Sequence, residues 1–166
     1  MLHATAPATA TATAPAASPR GCTNLKLRQL ARKVSRHYDA VIVAAVGLKT
    51  TQYSLLSHLD KLGPLRPADL AAHMTLEPST LTRNLQPLVA HGWVLVGPGA
   101  DARSRLVTLT DTGRAKRAEA QQAWKQAQRT LNARLGSERV AQLHALIDDC
   151  MALLGGDAES AKDTPR

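Results

Sequence analysis

The stretch that decides the fold is EPSTLTRNL at residues 77–85, followed by WVLV at 93–96 and RLVTL at 105–109. A proline in second place suits the first turn of a helix, and leucines four residues apart give that helix one apolar side. After Gly92 the pattern changes to two short runs rich in β-branched residues, separated by a turn-rich segment. The sequence therefore predicts a short helix followed directly by a β-hairpin.

Five further helices are predicted around this stretch. Apolar residues recur at intervals of three and four, between residues that begin or end helices, such as the capping Thr110 and the terminating Gly47. Two short helices joined by a tight turn and followed by a hairpin are the order of a winged helix-turn-helix. The six predicted helices span about residues 23–46, 50–62, 67–74, 78–91, 111–135 and 137–154.

The predicted fold class is mainly α with a small β-hairpin wing: a winged helix-turn-helix domain plus a helical dimerisation domain. We expect residues 49–110 to form the first, and residues 21–48 and 111–154 to form the second, since these helices carry more apolar positions than one small core needs. Residues 1–20 are rich in Ala, Thr and Pro and predict a disordered tail. Residues 155–166 are small and polar and predict a flexible one.

Charge and composition limit the classes of function. The 166 residues carry a formal net charge of +8, which favours an anionic partner, and 2% aromatic residues, which argues against base stacking on single strands. No apolar run approaches the roughly 20 residues of a membrane span, so we expect no membrane partner. Two distant cysteines and scattered histidines indicate no metal site, cofactor or disulfide framework, and favour a reducing cytoplasm. No nucleophile–base pair, phosphate loop or carboxylate pair indicates an enzyme.

The helix at 77–85 is the candidate DNA-reading element. A helix that begins with small and hydrogen-bonding residues can enter the major groove, where Arg suits guanine, Asn suits adenine and a Thr methyl suits thymine. The alternative is an ordinary amphipathic surface helix with a polar face. The candidate DNA-contacting residues of this helix are Ser79, Thr80, Thr82, Arg83 and Asn84.

The loop of the hairpin is the second candidate DNA contact. Asp101, Arg103 and Arg105 lie in or beside it, and the negative potential of a minor groove attracts a guanidinium. Asp101 lies two residues before Arg103 and can orient that guanidinium by a charge-assisted hydrogen bond. The alternative is a solvated turn whose charges only keep it soluble.

Three segments together resemble one family. DARSRLVTLTDTG at 101–113 is similar to the wing signature of the MarR family, EPSTLTRNL at 77–85 to its recognition helix, and TQYSLL at 51–56 to its second-helix opening. The resemblance spans about residues 23–154. It implies a homodimeric winged-helix repressor that binds double-stranded DNA. A small-molecule or thiol signal would release such a repressor from the DNA. By position, Ser79, Thr80, Thr82 and Arg83 match recognition-helix residues, and Asp101 and Arg103 match the wing pair.

An effector site is predicted from the resemblance and from four polar-tipped side chains. His37 and Tyr38 lie on or beside the inward stripe of the first helix, and Tyr53 and His58 flank the apolar face of the second. Such groups orient a ligand in an apolar cleft, and we expect a small organic anion, aromatic in the favoured case. The alternative is that each is a buried residue bonded to backbone.

Cys22 is the candidate for a thiol-based alternative. It lies at the start of the first helix near Lys26 and Arg28, which favours a thiolate. Members of the family that sense peroxide carry a reactive cysteine about one turn later, with two tyrosines nearby, so an inert cysteine at the helix cap is the competing reading. A constitutive DNA-binding protein without an effector is the third alternative.

Overall fold

The computed structural model describes residues 20–99 and 105–160, with side chains described as far as residue 155. It confirms the predicted fold class, since it is mainly helical with one antiparallel two-stranded hairpin. The elements are α1 (Thr23–Val46), α2 (Thr50–Leu62), α3 (Pro67–His73), α4 (Pro78–Ala90), β1 (Val94–Pro98), β2 (Arg105–Leu109), α5 (Asp111–Leu135) and α6 (Ser137–Ser160).

The boundaries of two elements differ from the predicted ones by more than one residue. β1 extends to Pro98, which pairs with Arg105 at the end of the ladder, where a missing N–H is tolerated. α6 continues through Ser160, whereas the sequence predicted a flexible tail from residue 155. A helix that has already formed gains one hydrogen bond for each residue that it adds, so the two glycines at 155 and 156 do not by themselves end α6. The rest of both predicted tails, residues 1–19 and 161–166, lies outside the described residues.

The centre of the core is the apolar face of α2. Leu55, Leu56 and Leu59 recur at helical spacing and are almost completely buried. They belong to one core cluster with leucines of α3 and α4 and with a valine from each hairpin strand, so the short helices and the hairpin are held together. These core partners are Leu70, Leu81, Leu85, Leu88, Val94 and Val107.

A backbone pair outside the two strands fixes the hairpin to the short helices. Leu65, between α2 and α3, donates its N–H to the carbonyl oxygen of Val107 at 3.2 Å and accepts the N–H of Val107 at 2.8 Å. Leu65 is thus a one-residue third strand beside β2. Sequence analysis missed this contact, because a single paired residue leaves no periodic pattern.

A group of hydrogen bonds joins the start of α5 to the start of the hairpin. Thr110 donates its backbone N–H to the carbonyl oxygen of Trp93 at 3.1 Å and its hydroxyl to that of Gly92 at 2.8 Å. The same hydroxyl accepts the N–H of Gly113 at 3.0 Å, which confirms Thr110 as the cap of α5. Thr112 adds a hydroxyl bond to the Gly92 carbonyl at 3.1 Å.

Gly113 lets α5 begin this close to the hairpin. A Cβ at this position would lie 2.0 Å from the carbonyl oxygen of Trp93 and 2.8 Å from Cδ1 of Leu109. The Trp93 carbonyl cannot retreat alone, because it already accepts the N–H of Thr110. The first turn of α5 therefore has room only for a residue without a side chain.

No single helix within residues 20–99 and 105–160 is long and apolar enough to cross a membrane. In those ranges, only α1 and α2 taken together reach the required length and hydropathy, with a bend of 77° between them.

Gly113→Ala should lower the free energy of unfolding by about 1–3 kcal/mol, because the new methyl group forces α5 away from the hairpin. Urea denaturation followed by circular dichroism measures the change. Gly97→Ala is the matched control, since no described atom lies within 4 Å of a Cβ there, and we expect a change within about 0.5 kcal/mol. Equal losses at the two glycines would contradict the close approach at residue 113.

Candidate nucleic-acid interface

The turn between α3 and α4 sets the direction of the candidate reading helix. Leu76 donates its N–H to Ala71 at 2.9 Å and Thr75 donates to Ala72 at 3.1 Å, which closes the end of α3. Thr75 has a φ of 50°, a left-handed conformation that a β-branched residue rarely adopts. The strain at Thr75 accompanies a chain reversal tight enough to bring α4 directly onto α3.

One side of α4 is anchored and the opposite side is open. Leu81, Leu85 and Leu88 are buried in the core. Ser79, Thr82, Arg83 and Gln86 are exposed, and Thr80 and Asn84 are half-buried. The residues predicted from the sequence therefore share the solvent-facing side, and Gln86 joins them one turn after Thr82. Gln86 lies beyond the small and hydrogen-bonding residues at the start of α4, so the sequence pattern did not indicate it.

Hydrogen bonds within α4 leave its donors unequally available. The Thr82 hydroxyl donates to the carbonyl oxygen of Pro78 at 2.9 Å, and the Asn84 amide donates to that of Thr80 at 2.8 Å. No residue in the described part of the chain pairs with Arg83. Its guanidinium is therefore the free, permanently charged donor on this face, and it suits a bidentate contact with guanine.

The hairpin places a second cation beside α4. Arg105, at the start of β2, is exposed and lines a groove of about 440 Å³ together with Thr82, Gln86 and Val96. The groove lies between α4 and the hairpin, so the two elements present one continuous surface. Asp101 and Arg103, the other predicted wing residues, lie outside the described residues.

The start of α4 combines the positive end of the helix dipole with the negative charge of an exposed Glu77. Glu77 occupies the cap position without a side-chain hydrogen bond to the helix, and Pro78 follows it. The first backbone N–H groups of α4 lie at an exposed helix start with the partial positive charge of the helix dipole.

The two predicted effector-binding residues of α1 lie at its contact with α5. His37 Nε2 is 2.9 Å from the carbonyl oxygen of Ala127 and 3.1 Å from the hydroxyl of Thr130. The Tyr38 hydroxyl donates to Oε1 of Gln128. Burial raises the pKa of the Tyr38 phenol, which keeps this donor protonated. Tyr38 also lines a mainly apolar groove of about 390 Å³ between α1, α5 and α6, which we call the Tyr38 groove.

The two predicted effector-binding residues of α2 are not part of the Tyr38 groove. The ring of Tyr53 lies 6.3 Å from that of Trp124 on α5, which also lies 6.5 Å from Tyr38. His58 Nδ1 is 2.8 Å from the carbonyl oxygen of Ser54 in its own helix. The structure thus brings His37 and Tyr38 together and leaves His58 apart from them.

Cys22 occupies the cap position of α1, where it is exposed and makes no side-chain cap bond. Its thiol is open to solvent, as is that of Cys150 on α6. In the part of the chain that the structure describes, no three His, Cys, Asp or Glu side chains are grouped as a metal site would require.

The order of the helices and the hairpin, with Arg83 exposed on α4 beside Arg105 of the hairpin, defines a winged helix-turn-helix protein. The model of the MarR family matches residues 48–103. The transcriptional regulator MosR of M. tuberculosis, solved in complex with DNA, is 32% identical with a TM-score of 0.62, and the match covers 78% of this chain and 98% of that one. The chain belongs to the MarR family of DNA-binding transcriptional regulators, which are not enzymes.

Two more relatives agree with this assignment. The uncharacterized HTH-type transcriptional regulator YwoH of Bacillus subtilis is 31% identical over 87 residues, and the match spans 52% of this chain and 60% of that protein. A mutant of MarR from E. coli, crystallised with operator DNA, has a TM-score of 0.69 and 24% identity over 77% of this chain and 92% of its own. At that identity the likeness to MarR concerns the fold alone.

Arg83→Ala should weaken binding to a duplex selected from a random-sequence pool by about 1–3 kcal/mol and relax the base preference at one position in each half-site. Fluorescence anisotropy measures both effects. Lys125→Ala removes the same charge from an exposed site on α5 and is the control, for which we expect little change. Equal affinities for Arg83→Ala and the unsubstituted protein would contradict the assignment of this helix face.

Proposed function

We propose that this protein is a cytoplasmic repressor whose homodimer binds a pseudo-palindromic operator. In this proposal α4 of each copy enters the major groove and the hairpin, with Arg103 and Arg105, reaches the adjacent minor groove. The observation that carries the proposal is the free guanidinium of Arg83 on an exposed polar face beside Arg105. The net charge of +8 supports an attraction to the phosphate backbone.

Exposed leucines on α1 and α6 support the homodimer. Leu25 and Leu27 on α1 are 52% and 54% exposed, and Leu146, Leu153 and Leu154 on α6 are 62%, 76% and 72% exposed. Apolar residues exposed in this number along two helices mark a protein interface. We therefore assign dimerisation to residues 21–48 and 111–154 and DNA reading to residues 49–110. A two-fold pair of reading helices suits two half-sites.

Leu146→Glu combined with Leu153→Glu should convert a dimer of twice the chain mass of 17.7 kDa into a monomer, because the interface would have to bury two unpaired carboxylates. Sedimentation velocity measures the change. Leu95→Glu is the control, since Leu95 is 57% exposed on the hairpin and lies outside the proposed interface. An unsubstituted chain that sediments as a monomer would end the dimer proposal.

A second groove along the α1–α5 contact supports an anionic effector. This basic groove has a volume of about 510 Å³, and its polar lining is Lys33, Arg36, His37 and Arg134. It has no acidic lining residue, and leucines and Val34 form the rest of it. An apolar body bearing a carboxylate fits this chemistry. Such a ligand releases DNA if it binds more tightly to the arrangement of the two DNA-reading units that cannot bind the operator. A coupling free energy of about 1–3 kcal/mol between ligand binding and DNA binding suffices.

A panel of benzoates and hydroxycinnamates should contain a member that raises the melting temperature and lifts the protein off its operator. Lys33→Ala combined with Arg36→Ala should remove both effects, while Arg28→Ala, an exposed arginine of α1 outside the groove, should keep them. No response from the whole panel would favour the constitutive alternative. Release by peroxide that is lost in Cys22→Ser would favour the thiol alternative, which the exposed thiol supports.

A further inference from the structure

The contact between α2 and α5 has one large α5 side chain near the start of α2, where the ring of Trp124 lies 6.3 Å from that of Tyr53. The residues that α5 buries are Gly113, Ala120, Ala123 and Ala127. Small side chains let helices approach closely, but they form only shallow ridges for a neighbouring helix to lock into. The aromatic contact fixes one point along α2, and the small buried residues of α5 leave the tilt about that point weakly defined. A second interaction near the end of α2 is therefore needed to set the angle between the DNA-reading helices and the long helix.

Asp60 at the end of α2 supplies such an interaction. Its Oδ2 lies 3.0 Å from Nε of Arg117, and its Oδ1 lies 3.4 Å from Nη1 of Arg114, one turn earlier on α5. Of the ion pairs whose two residues are both described, these are the ones that join different helices. One carboxylate thus holds two successive turns of α5 against the end of α2.

The Arg117 guanidinium depends on Asp60. Nε of Arg117 is buried and has no hydrogen-bond partner of good geometry among the described residues, so the nearby carboxylate provides its compensation. The Arg117 side chain as a whole is 22% exposed, and that of Asp60 is 29% exposed. Without the carboxylate, a buried cationic N–H would be left unpaired, which is strongly unfavourable. Opening the contact between α2 and α5 would hydrate it.

We propose that Asp60 is a positioning residue that clamps the DNA-reading helices to α5 at a fixed angle and thereby selects the spacing of the two half-sites. The inference rests on the proposed function, because the angle matters only if two reading helices in a dimer bind one duplex. Asp60 acts through the distance between the two copies of α4. Its loss changes which operator spacings are accepted rather than which bases are read.

Three duplexes test the proposal: the selected operator, the same operator with one base pair inserted between the half-sites, and the same with one removed. One base pair moves a half-site by about 3.4 Å. We expect the unsubstituted protein to bind the altered duplexes about tenfold more weakly, and Asp60→Asn to bind all three within about threefold. The ratio of affinities is compared within one protein sample, so a partly unfolded fraction does not change it.

Two variants separate the clamp from a general loss of charge. Glu119→Gln makes the same acid-to-amide change, but it breaks a pair with Lys116 inside α5 and should keep the discrimination of the unsubstituted protein. Asp60→Asn combined with Arg117→Met removes both charges of the clamp and leaves no uncompensated Arg117 cation, so the double variant should stay as indiscriminate as Asp60→Asn.

An unchanged ratio in Asp60→Asn would overturn the proposal, as would a double variant that regains discrimination, because the loss would then come from the uncompensated Arg117 cation and not from the missing clamp. If Asp60→Asn does not fold, Asp60→Glu decides the question. It keeps the charge but lengthens the side chain by one methylene, so the proposal expects weaker discrimination, and an unchanged ratio would refute it. An unsubstituted protein that binds no duplex would instead refute the proposed function, and the clamp with it.

Discussion

The fold depends most on the contact between the first turn of α5 and the carbonyl group of Trp93. Gly113 makes this contact possible, because a Cβ would lie 2.0 Å from that oxygen. Thr110 holds it with a backbone hydrogen bond to the Trp93 carbonyl and a side-chain hydrogen bond to the neighbouring Gly92 carbonyl. The hairpin and the long helix therefore leave this point in fixed directions. One consequence is that Arg105 lies beside the exposed face of α4. Another is that α5 extends from the hairpin to its contacts with α1 and α6.

Local signals in the sequence predicted the elements well. Helical spacing placed all six helices, the runs at 93–96 and 105–109 indicated the hairpin, and Thr110 was recognised as a cap. Contacts between distant residues could not be predicted in the same way. The Leu65–Val107 bridge and the pairs of Asp60 with α5 join residues more than forty positions apart, and neither leaves a period in the sequence. The C-terminal end of α6 was missed because glycine lowers helix propensity without forbidding a helix.

The candidate interface was predicted at the level of the helix face, and less well at the level of single side chains. Ser79, Thr82 and Arg83 are exposed as a reading helix requires, but the donors of Thr82 and Asn84 are already bonded within α4. The Thr82 bond must be exchanged before its hydroxyl donates to a base, whereas the Asn84 amide keeps a second N–H and Arg83 has no partner among the described residues. The predicted effector residues separate for a similar reason, since the sequence shows that a side chain is polar and not which neighbour it meets.

The proposed DNA-reading part of the chain, residues 49–110, is joined to two helices with exposed leucines, α1 and α6. The central claim is that two copies of the chain bind one duplex. Hydroxyl-radical footprinting combined with guanine N7 methylation interference, on a duplex selected from a random pool, tests that claim most directly. The account predicts two symmetric protected half-sites with centres about 34–36 Å apart, each sensitive to methylation in the major groove. A single asymmetric footprint, or binding that ignores N7 methylation, would contradict it.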